Sequence, residues 1–474
     1  MPKMPTRRLN LVTLLAALIG LAGLFGTSWL LVKANRLLAG DVYGAFAVSD
    51  AVSLPLATGL AAAWALLALA SLLRFPGRGW VLATLASVGL VGAAFLVGLG
   101  SSALSLASSD PERTRVSLQG GLWLSVLAYY IGVFGALGDA PDRPWVRAVF
   151  VAPGPLIVLV LVARGLFAHL GLSQELASQG GDFVAELLRH LGLATTSVVL
   201  ACLIGIPAAI WAARREGAAR VILPFASFLQ TIPSLALFGI MLSPLARLGS
   251  GVTVLQALVF SLGGLLAALL IRFLATRAAR VQGRVLTLLA LLIALPPLLL
   301  LGTVLAVFLN DAFVALFSWN ASALQLPQRL DATLSSLGVR GIGTAPALIA
   351  LTLYAFLPVV RNTYTGLKEV PQAATEAGRG MGMSEGQILR RVELPLALPL
   401  IFEGVRASVV LTIGIATVAF LIGAGGLGTF IERGISQQVP DLILLGALPI
   451  ILLALLADAL LRALGILVTP RGIR

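Results

Sequence analysis

The sequence predicts an all-α polytopic membrane protein with about twelve transmembrane helices. Three observations carry that prediction. The 474-residue chain is 59% hydrophobic and only 11% charged, with a mean hydropathy of +1.01, whereas soluble domains carry about 25% charge. Apolar stretches close to the ~20 residues that cross a bilayer recur along its whole length. Its basic residues are almost all arginine, with Lys3, Lys33 and Lys368 the only lysines, and they gather in short loops between those stretches.

Taken in order, the first stretch is Leu11–Val32. It follows Lys3, Arg7 and Arg8, exceeds the apolar region of a signal peptide, and so reads as an uncleaved span. Leu56–Leu73, Trp80–Gly100, the short Leu122–Gly138 and Ala148–Leu166 complete an N-terminal membrane extension over residues 1–185. Asp182–His190 is expected to form a short amphipathic interfacial helix. A core over 186–474 then holds Leu191–Ala212, Val221–Leu242, Val252–Ile271, Val285–Leu309, Thr344–Val360, Ile401–Gly423 and Leu442–Leu461.

Charge orients these spans. With the N-terminus inside, 22 of the 33 basic residues fall in inside loops and 10 in outside loops, while Arg406 lies within a span. That bias favours both termini in the cytoplasm, and it accounts for the formal charge of +13 without nucleic acid. Cys202 is the only cysteine, so an intrachain disulfide is excluded. His169 and His190 stand apart from any ligand cluster, which argues against a metal site. Asn320-Ala321-Ser322 fits a glycosylation sequon, a triplet common by chance.

Glu376 to Pro395 reads EAGRGMGMSEGQILRRVELP, a glycine-studded charged stretch between two spans on the inside. Pro371 suits the first turn of a helix, and Gln372 to Ala377 continue it. Gly378, Gly380 and Gly382 are expected to interrupt it, with Gly382 needing positive φ. Ser384 and Gln387 fit a capping box that starts a second helix, which Leu394-Pro395 is expected to end. The predicted product is a helix–turn–helix elbow with a small-residue surface. Glu376 is placed to accept charge-assisted bonds. Arg390 and Arg391 read equally as partner contacts or as orientation charge.

The spacing of that stretch is specific. Glu376-Ala377-Gly378, three residues, Gly382, nine residues, then Val392-Glu393-Leu394-Pro395 resembles the EAA loop of ABC importer permeases, with Gly378 where Ala is usual and Val392 for Ile. In that family the loop docks a separate ATPase, and Glu376, Ala377, Gly378, Gly382, Leu394 and Pro395 are the matching positions. The chain itself has no G-x-x-x-x-G-K-[ST], since none of its lysines follows a glycine. It therefore lacks a P-loop for ATP, and the resemblance implies a transport subunit with no cofactor of its own, ATP and Mg being expected on a partner ATPase.

Phe228 to Leu237 (FLQTIPSLAL), Thr344 to Leu367 and Ile422 to Gly428 (IGAGGLG) look like the permease of osmoprotectant importers, which take up glycine betaine, carnitine and choline. The likeness covers about 186–243 and 339–474. It implies the fold of a type I importer permease core, a helical pair inserted at about 244–338, a bacterial inner-membrane location, and a homodimer or a pair with a related permease. It also implies an extracytoplasmic solute-binding protein as partner. The alternatives are an ABC permease for another small solute, such as an amino acid or thiol-betaine, and a gradient-driven secondary transporter.

Polar groups within spans cost free energy unless paired or wetted. Gln230, Thr231, Ser234 and Thr417 are the expected path-lining group, because an amide is hard to hide and Pro233 must bend its helix. Gly423, Gly425, Gly426 and Gly428 form either a tight loop or a gate segment. Glu403 with Arg406, and Asp458 with Arg462, are spaced to pair on one helix face.

Overall fold

The computed structural model describes residues 9–35, 38–141, 143–277, 280–318 and 331–468. Lys3, Arg7, Arg8, Arg36, Arg329, Arg471, Arg474 and the Asn320 sequon lie outside them. The chain forms two compact units: Met1–Gly180 with Gly434–Leu445, and Gly181–Arg433 with Gly446–Arg474.

The first unit holds α1 (Leu11–Gly26), β1 (Ser28–Lys33), β2 (Asp41–Gly44), α2 (Ala45–Val52), α3 (Leu56–Leu72) and α4 (Arg78–Leu106). It continues with β3 (Arg115–Leu118), α5 (Gly120–Leu137), α6 (Pro144–Val151), α7 (Pro153–Ala163) and α8 (Gly171–Ser178). Glycines let its helices close on aromatic rings. A Cβ at Gly20 or Gly89 would fall 2.4 or 2.5 Å from the Trp64 ring, so the buried indole lies between α1 and α4. Close approach at small residues is a usual way for membrane helices to pack. At one helix end Arg78 pairs with Asp139 at 2.8 Å, and Asn10 donates to the same carboxylate at 2.7 Å.

Two expectations change here. Leu11–Val32 is not one helix: α1 stops at Gly26, where Thr27 Oγ1 donates to the Gly23 carbonyl, and Trp29–Val32 become β1. A continuous apolar run does not by itself distinguish helix from strand. Antiparallel pairing on both sides settles it, with β1 central in the order β2-β1-β3 and Leu31 opposite Val42 and Ser117. Ala148–Leu166 is likewise not a single span, since α6 and α7 meet at a 46° bend before Pro153.

The second unit holds α9 (Gly180–Arg214), α10 (Glu216–Thr231), α11 (Ser234–Gly251), α12 (Val254–Arg277), α13 (Arg280–Ser318), α14 (Thr344–Lys368), α15 (Gln372–Gly380), α16 (Glu385–Ile388), α17 (Leu394–Ile415) and α18 (Gly428–Ser436). α19 (Pro440–Val468) follows, with Gly434–Leu445, the end of α18 and the start of α19, belonging to the first unit. Asp182–His190 are not a separate interfacial helix but the first turns of α9. Val221–Leu242 is not one span, because the chain breaks at Ile232-Pro233 between α10 and α11. The missing N–H of Pro233 and the extended backbone it imposes on Ile232 (φ −75°, ψ 124°) end the helix there.

Among the described residues, nine helices are long and apolar enough to cross a membrane, or ten counting the bent pair. The remaining two expected spans correspond to α1 and α3, of 16 and 17 residues. At 1.5 Å per residue they are shorter than the ~30 Å hydrocarbon core. Among the described residues, the one sheet is the small three-stranded sheet of the first unit.

Candidate functional site

α14 and α17 run side by side and carry the two regions singled out from the sequence at opposite ends. Their close approach rests on Gly366, where a Cβ would fall 3.0 Å from Leu400, and on Gly404, where it would fall 2.7 Å from the Pro358 carbonyl oxygen.

At one end, Pro371 caps α15 and Gly382 sits at φ +79°. Ser384 then opens α16 with the expected capping box: its backbone N–H donates to Gln387 Oε1 at 2.8 Å and its hydroxyl accepts from Gln387 N. Two details differ from expectation. Gly378 does not interrupt the helix. It is a buried helical residue whose added Cβ would touch Ile388 at 3.4 Å and Met383 at 3.6 Å. Leu394-Pro395 does not end the second helix either. A π-helical turn over Leu389–Glu393 leads straight into α17, which tolerates Pro395 in its first turn. Glu376 and Ala377 are exposed beside one another on α15.

Ion pairs hold the elbow. Arg379 donates to Glu385 at 3.0 Å, which keeps its guanidinium further into the cationic range. Arg214, the last residue of α9, reaches the same Glu385 at 3.1 Å and also pairs with Glu393. From sequence Arg214 is only orientation charge; its role here is not visible there because its partners lie 171 and 179 residues away.

At the other end, α17 passes into a 3₁₀ turn over Ala416–Ile422 and then the glycine loop. Gly423, Gly425 and Gly426 take φ values of +75°, +76° and +96°. Gly428 packs against Thr417, whose carbonyl oxygen would lie 1.8 Å from an added Cβ. Three residues of one face of α9 hold the loop. Glu186, paired with Arg189 at 2.8 Å, accepts the Gly426 N–H. His190, fully buried, has its Nε2 3.0 Å from the Ile413 carbonyl oxygen and its Nδ1 beside Gly426. The i, i+3, i+4 spacing of Glu186, Arg189 and His190 could have pointed to a shared face. Nothing in the sequence named the loop as its target.

The expected path-lining group is redistributed. Gln230 Nε2 donates to the Tyr354 carbonyl at 3.1 Å, and the Tyr354 hydroxyl donates to the Ile232 carbonyl. Together they brace the break between α10 and α11. Thr231 returns its hydroxyl to the Phe228 carbonyl at 2.7 Å, the usual self-satisfaction of a helical threonine. Ser234 opens α11, and Thr417 belongs to the turn against Gly428. Glu403 with Arg406 (2.7 Å) and Asp458 with Arg462 (2.8 Å) pair as spaced, and Arg406 joins the two pairs by reaching Asp458 at 2.9 Å.

A cavity of about 950 Å³ opens beside the glycine loop. Its walls include Arg189, Asn310, Asp311, Arg340, Thr344 and Gly423. Asn310, 5% exposed, leaves its Oδ1 without a hydrogen-bond partner.

Residues 263–468 match the family described as binding-protein-dependent transport system inner membrane component, and residues 7–173 match the N-terminal domain of ABC transporter permease YehY. The osmoprotectant import permease protein OsmW of Salmonella typhimurium is 50% identical over 141 residues, covering 30% of this chain and 66% of that protein. The carnitine transport permease protein OpuCB of Listeria monocytogenes is 48% identical over 134 residues, covering 28% and 62%. The glycine betaine/carnitine/choline transport system permease protein OpuCB of Bacillus subtilis is 44% identical over the same length and coverage. The chain thus spans a little under two thirds of the length of these relatives. A solved structure of the MetNI methionine ABC transporter, in an inward-facing conformation, aligns at 18% identity and a TM-score of 0.36 over 59% of this chain and 95% of that one, a likeness that adds nothing to the assignment. By these matches, the chain is similar to the inner membrane components of binding-protein-dependent transport systems and to their osmoprotectant permeases.

Proposed function

We propose that this chain is the permease subunit of an ATP-driven importer for compatible solutes such as glycine betaine, choline or carnitine. The observation that carries the reading is the elbow over 372–393, where a positive-φ glycine joins two capped helices and leaves Glu376 and Ala377 exposed at the end of α14 and α17. Such a small-residue surface admits close backbone approach by a partner, and an exposed carboxylate offers it a charge-assisted bond. The partner on this reading is an ABC ATPase, which supplies ATP and Mg because this chain has no P-loop lysine. The arginine bias puts the elbow and both termini in the cytoplasm, where an ATPase must be. Closure of the ATPases would displace the elbow and switch access at the glycine loop. An extracytoplasmic binding protein would deliver the solute, and a second permease, identical or related, would complete the path. The names of the relatives support the solute class.

The test is recovery of partners from mild detergent with a tagged chain, followed by mass spectrometry. A P-loop ATPase that is recovered with the native chain and lost with Glu376→Ala plus Gly382→Val supports the reading. A folded chain that is recovered alone overturns it in favour of a gradient-driven carrier.

A further inference from the structure

We propose that α9 is a lever that makes the glycine loop follow the elbow, with Arg214 as its positioning residue. The proposal rests on the reading of 372–393 as an ATPase-docking elbow.

α17 is continuous with both regions, but it ends at Ile415, before the loop begins. The interior of the loop is held from α9 instead, through Glu186 to the Gly426 N–H and through His190, which packs beside Gly426 and bonds the end of α17 at Ile413. The opposite end of the same helix is Arg214, whose fork reaches both Glu385 and Glu393. Glu186 and Arg214 are 28 positions apart on one helix, a separation of about 42 Å. A displacement of the elbow therefore reaches the loop interior through α9 only if Arg214 carries α9 with it. A guanidinium suits that task, since it can hold two carboxylates in a fixed geometry where lysine cannot. The Glu393 carboxylate is only 14% exposed, so this pair is less screened by salt than an open surface pair.

The middle of α9 has the features of a pivot. A Cβ at Gly205 would lie 3.1 Å from Val359 and 3.3 Å from Val360, so α9 sits tightly on α14 there. Two residues on, Pro207 lies inside the helix and removes a backbone donor, which weakens the helix locally and allows flexing there.

The test uses the complete assembly in nanodiscs, with the single native thiol removed by Cys202→Ser and a reporter thiol introduced by Ala424→Cys on the cavity wall. The rate of thiol labelling is measured with and without ATP, together with the amount of ATPase bound. The native pairing is expected to give ATP-dependent labelling. Arg214→Gln is expected to reduce that dependence about fivefold or more, the lower end of coupling between distant sites, while ATPase still copurifies. The exchange Arg214→Glu with Glu393→Arg is expected to restore it, which guards against simple misfolding, and Arg379 remains to pair with Glu385. Unchanged ATP dependence in Arg214→Gln with ATPase bound, or failure of the exchange to restore it, overturns the lever alone. An assembly that recruits no ATPase even with Arg214 present overturns the docking reading and the lever together.

Discussion

At Gly382 the backbone sits at φ +79° and an added Cβ would meet no atom within 4 Å; at Gly428 an added Cβ would lie 1.8 Å from the Thr417 carbonyl oxygen. The elbow and the glycine loop thus use the same residue for different physical reasons. In the elbow, glycine supplies a left-handed turn on an open surface held by exposed ion pairs, leaving room for another protein. In the loop Gly423, Gly425 and Gly426 are left-handed as well, and glycine also supplies space, because Glu186, Arg189, His190 and Thr417 crowd the backbone. One region is open at its surface, and the other is crowded by its own chain.

The sharpest way to break this contrast is Gly428→Ala. With backbone rather than a flexible side chain in the way, the change is expected to cost about 1–3 kcal/mol or more and to lower the thermal midpoint of the detergent-solubilised chain. An unchanged midpoint would mean that the loop is looser than its contacts imply. Next comes Gly382→Val, where no clash arises but the left-handed backbone costs an L-residue roughly 1–2 kcal/mol. Membrane insertion should survive while ATPase recovery falls. Gly382→Asn should retain much of that recovery, because asparagine visits this conformation more readily. Equal loss in both variants would show that the missing side chain matters, rather than the backbone angle.

Tyr354→Phe tests the brace at the α10–α11 break. Losing one hydrogen bond to the Ile232 carbonyl should cost about 0.5–1.5 kcal/mol and reduce solute uptake without affecting ATPase recovery. Loss of ATPase recovery in this variant would deny that the brace and the elbow act separately. The smallest effect is expected for Gly378→Ala, since its Cβ would make ordinary contacts with Ile388 and Met383. Thermal midpoint and ATPase recovery should both stay near those of the native chain, and a large drop in either would place a partner against that buried position.

The elbow was legible because its signals are local. Proline at the helix start, a Ser384–Gln387 capping box and a glycine turn are all set within a few residues, and the spacing of the loop lies in one continuous stretch. Its misleading signals are local as well: Leu394-Pro395 suggests a stop although proline fits the first turn of the following helix, and Gly378 suggests a break although packing against Ile388 keeps it helical. The glycine loop was legible as a glycine-rich segment and no further. Glu186 and His190 lie more than two hundred residues before the groups they hold, and no periodicity reports such a contact. Gln230 was noticed for the right reason, the cost of burying an amide. The group that relieves that cost, the Tyr354 carbonyl, belongs to another helix.

What the sequence determined by itself is the membrane class, the order of most apolar helices, a bend at Pro233 and the form of the elbow. These follow from hydropathy over ~20-residue windows, from proline stereochemistry and from capping within single turns. What only the tertiary structure decided is that Trp29–Val32 are a strand, that α9 runs unbroken from Gly180 to Arg214, and that its two ends meet the elbow and the loop. Strand pairing needs partners, and ion pairs between residues 171 and 179 positions apart need a folded chain to bring them together.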